Sequence, residues 1–123
     1  MTCFSFFAAP VPSDNREAYA EHARLIDSWF MENGALRVVE SWGFQVPEGQ
    51  YTDWRKAVAL KEGETVAIGF CEWPDRATCE AIHAKMEADS ADDERFDMDK
   101  HPMPFDGKRL IYGDFETILD LPG

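Results

Sequence analysis

Three titratable residues sit in apolar surroundings where they could do acid–base chemistry. Glu40 lies in the strand-like run RVVESWG (residues 37–43), and Glu72 lies in TVAIGFCEW (residues 65–73). On alternating strands, each acid shares a face with apolar neighbours, and a register that brings the two acids together is sterically ordinary. Two adjacent carboxyl groups on an apolar face cannot both ionise cheaply, so one pKa should rise. With His22 nearby, Glu40 and Glu72 form our candidate catalytic group.

Each of these residues also has a plainer interpretation. Glu40 and Glu72 could lie at strand ends near water and titrate normally. His22 falls within the apolar stripe of a predicted helix and could be a core histidine that is hydrogen-bonded to backbone or carboxylate. His83 follows Glu80 by three residues, but no H-E-x-x-H pattern accompanies it, so we predict surface pairing and no metal site.

Aromatic and charged residues near the predicted strands suggest a binding surface. The aromatic side chains could line a cavity between the sheet and a partner subunit, or they could seal a dry dimer interface. The string PFDGKR (residues 104–109) reads as a tight turn with Gly107, but its charges could also surround an anionic ligand. The candidate ligand-binding residues are Trp42, Phe70, Trp73, Asp106, Arg109 and Tyr112.

Composition limits the classes of function. A chain of 123 residues with 45% apolar content predicts one domain over residues 1–123. The net charge of −12 opposes binding to nucleic acid, and no run approaches the ~20 apolar residues of a membrane span. The odd number of cysteines forms no C-x-x-C pair, which argues against disulfides and predicts a cytoplasmic protein. Nucleotide and phosphate motifs are absent from the sequence, so we predict no cofactor.

Periodicity and turn residues predict the order of the elements. Ser13 is the expected N-cap of the first helix, Gly34 its stop, and Asp75 the N-cap of the second helix. The acidic run over residues 87–99 is predicted to be a solvated, mobile connection, and the segment from about Asp89 to Lys100 is predicted to be dispensable for folding. The predicted helices span residues 13–33 and 76–88. The third and fourth predicted strands form a hairpin. The predicted strands span residues 3–9, 35–44, 54–60, 65–73 and 109–119.

This order predicts an α+β, ferredoxin-like fold in which two helices cover one face of an antiparallel sheet. The strands carry apolar residues on both faces, so the second face also needs cover. Back-to-back pairing of two sheets would provide it, and we therefore predict a homodimer of the dimeric α+β barrel type.

Three strings resemble a known family. ENGALRVVESWG, CEWPDRA and above all MPFDGKRLIYGDFE are similar to the YbaA-like proteins, a family of unknown function, and the similarity covers nearly the whole chain. The resemblance implies a ferredoxin-like fold within the dimeric α+β barrel superfamily, but it implies no reaction. Other branches of that superfamily include cofactor-independent monooxygenases, haem-degrading enzymes and dye-decolourising peroxidases, so the fold alone names no function.

Two functional hypotheses follow. In the first, the protein is a homodimer that binds a small molecule in a pocket between sheet and partner subunit without catalysis. In the second, it is a cofactor-independent enzyme, monooxygenase- or isomerase-like, that uses a carboxylate and histidine pocket.

Overall fold

A four-stranded antiparallel sheet forms the centre of the molecule, in the strand order β2-β3-β1-β4. The computed structural model describes residues 2–123. Two long helices pack on one face of the sheet, as the predicted α+β fold requires. The strands are β1 (Cys3–Pro12), β2 (Arg37–Trp42), β3 (Glu64–Trp73) and β4 (Ile111–Glu116), and the helices are α1 (Arg16–Glu32), α2 (Trp54–Ala57) and α3 (Arg76–Asp89).

Local signals set the ends of the two long helices. Gly34 follows α1 with φ of 109°, a conformation that glycine adopts without strain, so the predicted stop is confirmed. The Asp75 carboxylate accepts a hydrogen bond from the Thr78 backbone N–H at 2.7 Å and caps α3 as predicted. The N-cap prediction for Ser13 is wrong, because a 3₁₀ turn over Ser13–Asn15 precedes α1.

The first strand is longer than predicted and continues through two prolines to Pro12. β1 lies between β3 and β4, but its pairing with β4 stops at Ala8, whereas its pairing with β3 continues to Pro12. Beyond Ala8 the strand therefore has one unpaired edge. A proline has no backbone N–H group, and at an unpaired edge this removes no hydrogen bond from the sheet.

The predicted strand over residues 54–60 is wrong, and so is its hairpin with β3. The segment contains the short helix α2, which the Asp53 carboxylate caps by accepting from the Lys56 N–H at 2.6 Å. Its end brings Val58 into a buried cluster with Ala8 and Val66. In a run of only seven residues, the alternation of apolar and polar side chains does not distinguish a strand from a capped helical turn.

The acidic connection after α3 packs against the protein, contrary to the prediction that it is only solvated. Phe96 contacts Trp29 of α1 edge-on, with 5.7 Å between ring centroids, and joins the core around Trp29 and Trp73. Arg95 donates hydrogen bonds to Asp93 and to Glu32 of α1. Two residues thus attach a largely acidic segment to the helix layer.

The sheet face that the helices leave bare is aromatic. Phe4 lies edge-on to Phe70 at 5.5 Å between ring centroids, and Phe6 lies edge-on to Phe115 at the same separation. Phe6 is 45% exposed and Phe115 is 57% exposed. We call Phe4, Phe6, Phe70 and Phe115 the aromatic face.

Across residues 2–123, none of the helices combines the length and the apolar character that a membrane crossing requires.

Candidate functional site

A cavity of about 490 Å³ lies between the helix-covered face of the sheet and the helices. Its volume falls within the range typical of small-molecule sites. The sheet, α1, α3 and the connection from α3 to β4 all contribute to its wall, which is mainly aromatic and aliphatic. Apolar lining residues include Phe7, Ile26, Phe30, Met86, Phe96 and Phe105.

Two acids and a phenol meet in the wall of this cavity. The Tyr19 hydroxyl of α1 donates a hydrogen bond to Glu40 Oε1 of β2 at 2.9 Å. Asp27, two helical turns after Tyr19, lies close enough to Glu40 for that carboxyl group to raise its pKa. All three residues line the cavity, and we call them the carboxyl cluster.

The sheet leaves space for the Glu40 carboxylate at a glycine. Glu40 lies opposite Gly69 in the ladder between β2 and β3. A Cβ at position 69 would lie 2.9 Å from Glu40 Oε1 and 2.5 Å from the ring of Phe7. Only a residue without a side chain fits there, so Gly69 allows Glu40 to fold back against the sheet beneath α1.

The carboxyl cluster holds a proton at neutral pH. Burial, as the largest cause, and the neighbouring Glu40 together raise the pKa of Asp27 to about 9. Burial and the charge of Glu40 also raise the pKa of Tyr19, which keeps its hydroxyl a donor. The two carboxyl groups therefore share one proton and carry one negative charge rather than two.

His22 lies on the same helix, one turn from Ile26, and also lines the cavity. Burial lowers its pKa, and the neighbouring His101 lowers it further, so the neutral imidazole is favoured. Its ring meets Phe105 edge-on at 6.4 Å between centroids. The imidazole is therefore a neutral hydrogen-bonding group in a mostly apolar wall.

Of the predicted site residues, the structure brings His22, Glu40 and Tyr112 to this cavity. The prediction that Glu40 and Glu72 lie together is wrong. Glu72 lies opposite Arg37, three residues along the ladder from the Glu40–Gly69 pair, and its side chain is on the other face of the sheet. Side chains alternate between the two faces of a sheet, so an offset of three residues places Glu72 on the face opposite to Glu40. These two acids therefore share no proton.

The other predicted aromatic residues take structural positions. Trp73 is fully buried and donates its indole N–H to the Ser5 hydroxyl at 3.0 Å. Trp42 packs on Tyr19 with 6.0 Å between ring centroids. Phe70 belongs to the aromatic face, where the Arg37 guanidinium lies 5.7 Å from its ring centroid. None of the three lines the cavity among residues 2–123.

Asp106 and Arg109 are engaged with each other and with the chain. Arg109 makes a two-pronged contact with Glu64, at 2.8 and 2.7 Å, and donates to Asp106 at 3.0 Å. These contacts join the turn before β4 to the start of β3. The charged groups of Asp106 and Arg109 thus fix that turn, in line with the first of the two interpretations of PFDGKR.

Sequence reasoning missed Asp27 and Tyr19 as site residues. Tyr19 fits the apolar stripe of the helix, and Asp27 follows it by eight residues, which places both on one side of the helix. An acid within an apolar stripe is the signal that could have identified Asp27. The sequence could not have identified Glu40 as the partner of Asp27, because the pairing of these two residues depends on how α1 crosses β2.

Within residues 2–123, no group of three or more histidine, cysteine or acidic side chains is arranged to hold a metal ion. All three cysteines are buried free thiols, and burial raises the pKa of Cys71, a cavity residue, with smaller contributions from Asp27 and Glu40.

The fold places the protein in the ferredoxin-like class. A solved dimeric ferredoxin-like protein from an uncultured marine organism is similar to it, with a TM-score of 0.57, 13% sequence identity and 98% of each chain covered. Together with the four-stranded antiparallel sheet, this likeness confirms the predicted ferredoxin-like fold.

The chain belongs to the DUF1428 family, described as a protein of unknown function, whose sequence model matches residues 2–107. It is 43% identical over 114 residues to the uncharacterized protein YbaA of Escherichia coli strain K12, covering 93% of this chain and 94% of that protein. The YbaA protein of Shigella flexneri shows the same identity and coverage. The YbaA-like resemblance predicted from the sequence is therefore confirmed.

Proposed function

We propose that this protein is a homodimer in which each protomer binds a small, largely apolar molecule in the cavity between sheet and helices. The observation that carries this proposal is the 490 Å³ space with aromatic and methionine walls, in which the polar groups of Tyr19, Asp27 and Glu40 lie together. Convergent polar groups in an otherwise apolar pocket are typical of sites that both bury and orient a ligand.

The cavity is not where sequence analysis expected the pocket. That expectation placed it on the face closed by a partner subunit, whereas this cavity is lined by the helices of one protomer. Each protomer would therefore bind its ligand independently of the partner's side chains.

Binding is tested with indole, an apolar probe small enough for the cavity, by isothermal titration calorimetry. Met86 lines the cavity, whereas Met31 is 48% exposed on α1. We expect Met86→Trp to fill space and weaken indole binding at least tenfold, and Met31→Trp to leave it unchanged. Equal effects of the two substitutions, with both variants folded by circular dichroism, would contradict the proposal, and so would the absence of indole binding to the unmodified protein.

Self-association is proposed through the aromatic face. Four phenylalanines lie together on an open sheet face, and contiguous exposed apolar groups of this kind often mark an interaction surface. The similar marine protein is described as dimeric, which agrees with this proposal. Light scattering at micromolar concentration should give twice the mass of one chain, and a stable monomer would contradict the dimer.

A second candidate function is acid–base catalysis on a bound carbonyl compound. It is favoured by Asp27, whose pKa is raised to about 9 by burial and by Glu40, so that the pair holds both a proton to donate and a site to accept one. The test is deuterium incorporation into 2-tetralone in D₂O, followed by NMR. Exchange catalysed by the unmodified protein and lost in Asp27→Asn would favour catalysis, whereas exchange at the buffer rate would reject it for this probe.

We also propose the cytoplasm as the location, supported by three cysteines that are free thiols. Nucleic acid and membrane are not proposed as partners, in view of the net charge of −12.

A further inference from the structure

The negative charge of the carboxyl cluster has little compensation from the cavity wall. Arg95 lines the cavity, but its guanidinium contacts Asp93 at 2.7 Å and Glu32 at 2.6 Å. His83 lies 3.2 Å from Asp114. Burial and His101 favour the neutral form of His22. Arg95 and His83 are thus engaged with other acids, and His22 is shifted towards neutrality, which leaves His101 as the remaining basic side chain of the described wall.

The cluster also lies in a place where a charge is expensive. Aromatic and aliphatic side chains surround it, and a carboxylate removed from water needs hydrogen bonds or an opposite charge. The Tyr19 hydroxyl supplies one hydrogen bond to Glu40, and Asp27 stays protonated beside it because burial and Glu40 raise its pKa. A ligand that brings a positive charge to this point would complete the compensation.

From this complementarity we propose that the molecule bound in the cavity is an amine, whose ammonium group sits against Asp27 and Glu40 while its apolar body contacts the aromatic wall. The inference rests on the proposed function, because it assigns the polar end of the ligand that the cavity is proposed to bind. A neutral or anionic molecule of the same shape would leave the charge of the cluster unbalanced.

Amine binding should displace the shared proton. With an ammonium group in contact, both carboxyl groups can ionise, because the cation offsets the repulsion that retains the proton on Asp27. The proton leaves Asp27 for solvent, the amine remains protonated, and the complex pairs two carboxylates with one cation. The other titratable or charged groups that face the cavity are Tyr19, His22, Cys71, His83, Arg95, His101, Tyr112 and Asp114.

The test compares three molecules that share an indole ring and differ in the charge of the side chain: tryptamine, tryptophol and indole-3-propanoate. Isothermal titration calorimetry at pH 7 should give tryptamine an affinity at least tenfold above that of tryptophol, with indole-3-propanoate weakest. Repeating the tryptamine titration in phosphate and in Tris should give different apparent enthalpies, because a released proton is taken up by the buffer.

Two double variants make the test specific to the cluster. Asp27→Asn with Glu40→Gln removes its charge while keeping size and hydrogen bonding, and should abolish both the preference for tryptamine and the buffer dependence. Glu17→Gln with Glu21→Gln removes the same formal charge from exposed positions of α1 and should change neither.

The outcomes separate the two proposals. If tryptophol or indole-3-propanoate binds as tightly as tryptamine, the amine assignment is wrong and the proposed cavity site stands. If the preference survives removal of the carboxyl cluster, the assignment is likewise wrong. If none of the three binds, the proposed function fails together with it.

Discussion

At the scale of single residues, the site depends on one acid that is held neutral. Asp27 lies in the helix layer over a sheet and shares its proton with Glu40. Tyr19 and Gly69 fix the position of Glu40, the first by donating a hydrogen bond and the second by leaving space for the carboxylate. Removing any one of these residues should change how the cluster holds charge, which makes each of them testable without a known ligand.

Asp27→Asn should raise stability at high pH and change it little at pH 5. The folded protein holds the Asp27 proton up to about pH 9, whereas the unfolded chain releases it near 3.8, so the folded state binds more protons between these values. The free energy of unfolding therefore falls as pH rises across this window. Asparagine cannot ionise and removes this loss. Thermal unfolding at pH 8 should show a Tm higher by at least about 3–5 °C, which corresponds to at least about 1 kcal/mol for a domain of this size.

The control for this prediction is Glu21→Gln, which removes a carboxylate from an exposed position of the same helix. Its melting temperature should follow the unmodified protein at both pH values. A lower Tm for Asp27→Asn at pH 8 would mean that Asp27 is ionised in the folded state.

Gly69→Ala should displace Glu40 from Tyr19. The added methyl group would overlap the ring of Phe7 and the Glu40 carboxylate, and overpacking of this kind costs about 1–3 kcal/mol. The same substitution at Gly63 meets no atom within 4 Å but changes a residue with φ of 81°, so it reports backbone strain alone. Ultraviolet titration should place the Tyr19 pKa nearer its ordinary value in Gly69→Ala than in Gly63→Ala, and an equal shift in both would contradict the role of Gly69.

At the scale of elements, the connection from α3 to β4 has two functions that its composition conceals. Most of its acidic residues are exposed, but Phe96 packs on Trp29, and Met98, His101 and Met103 help to close the cavity. The 3₁₀ turn over Glu94–Phe96 aims Phe96 inward, and the Asp93 carboxylate caps that turn by accepting from the Arg95 N–H at 3.0 Å. A segment that sequence composition marks as solvated is therefore part of the wall.

Phe96→Ala should destabilise the protein by about 2 kcal/mol, less than the roughly 3–5 kcal/mol of a fully buried phenylalanine, because Phe96 is only partly buried. Urea unfolding measures the effect. Asp92→Ala, an exposed position in the same connection, should change the free energy of unfolding by less than about 0.5 kcal/mol. Equal stabilities of the two variants would support the sequence-based prediction of a dispensable connection.

At the scale of the whole molecule, the two faces of the sheet have different chemistry. The helix-covered face holds the cavity with its charged cluster, and the open face holds the aromatic face. The short helix α2 and the segment around it cover one end of the open face through Val58, so the apolar area left for a partner centres on Phe4, Phe6 and Phe115. Ligand binding and self-association would thus use opposite sides of one sheet.

Phe6→Glu should convert the proposed dimer into a monomer. Placing a charge in an apolar interface leaves it without water or a partner, at a cost that exceeds what one phenylalanine contributes. Met31→Glu adds the same charge at an exposed position of α1 and should leave the dimer intact. Size-exclusion chromatography with light scattering measures the mass, and a dimer in both variants would show that the aromatic face is not the interface.

Local signals in the sequence predicted most of the elements, because caps, turns and periodicity act within a few residues. Gly34 and Asp75 mark helix ends in the sequence, and the strand–helix order by itself leads to a ferredoxin-like sheet. Residues 54–60 are the exception. The alternation of apolar and polar side chains does not distinguish a strand from a helical turn in so short a run, but the Asp53 cap favours the helical turn.

Only the tertiary structure determined which acid meets Glu40. Strand register puts Gly69, not Glu72, opposite Glu40, and an odd offset sends Glu72 to the other face. The rotation of α1 above β2 then brings Asp27 to the carboxylate. Register and helix rotation depend on packing between segments that are distant in sequence, and no local pattern encodes them. The sequence therefore determined that Glu40 would be an acid among apolar residues, and the packing of α1 on the sheet decided that its partner is Asp27.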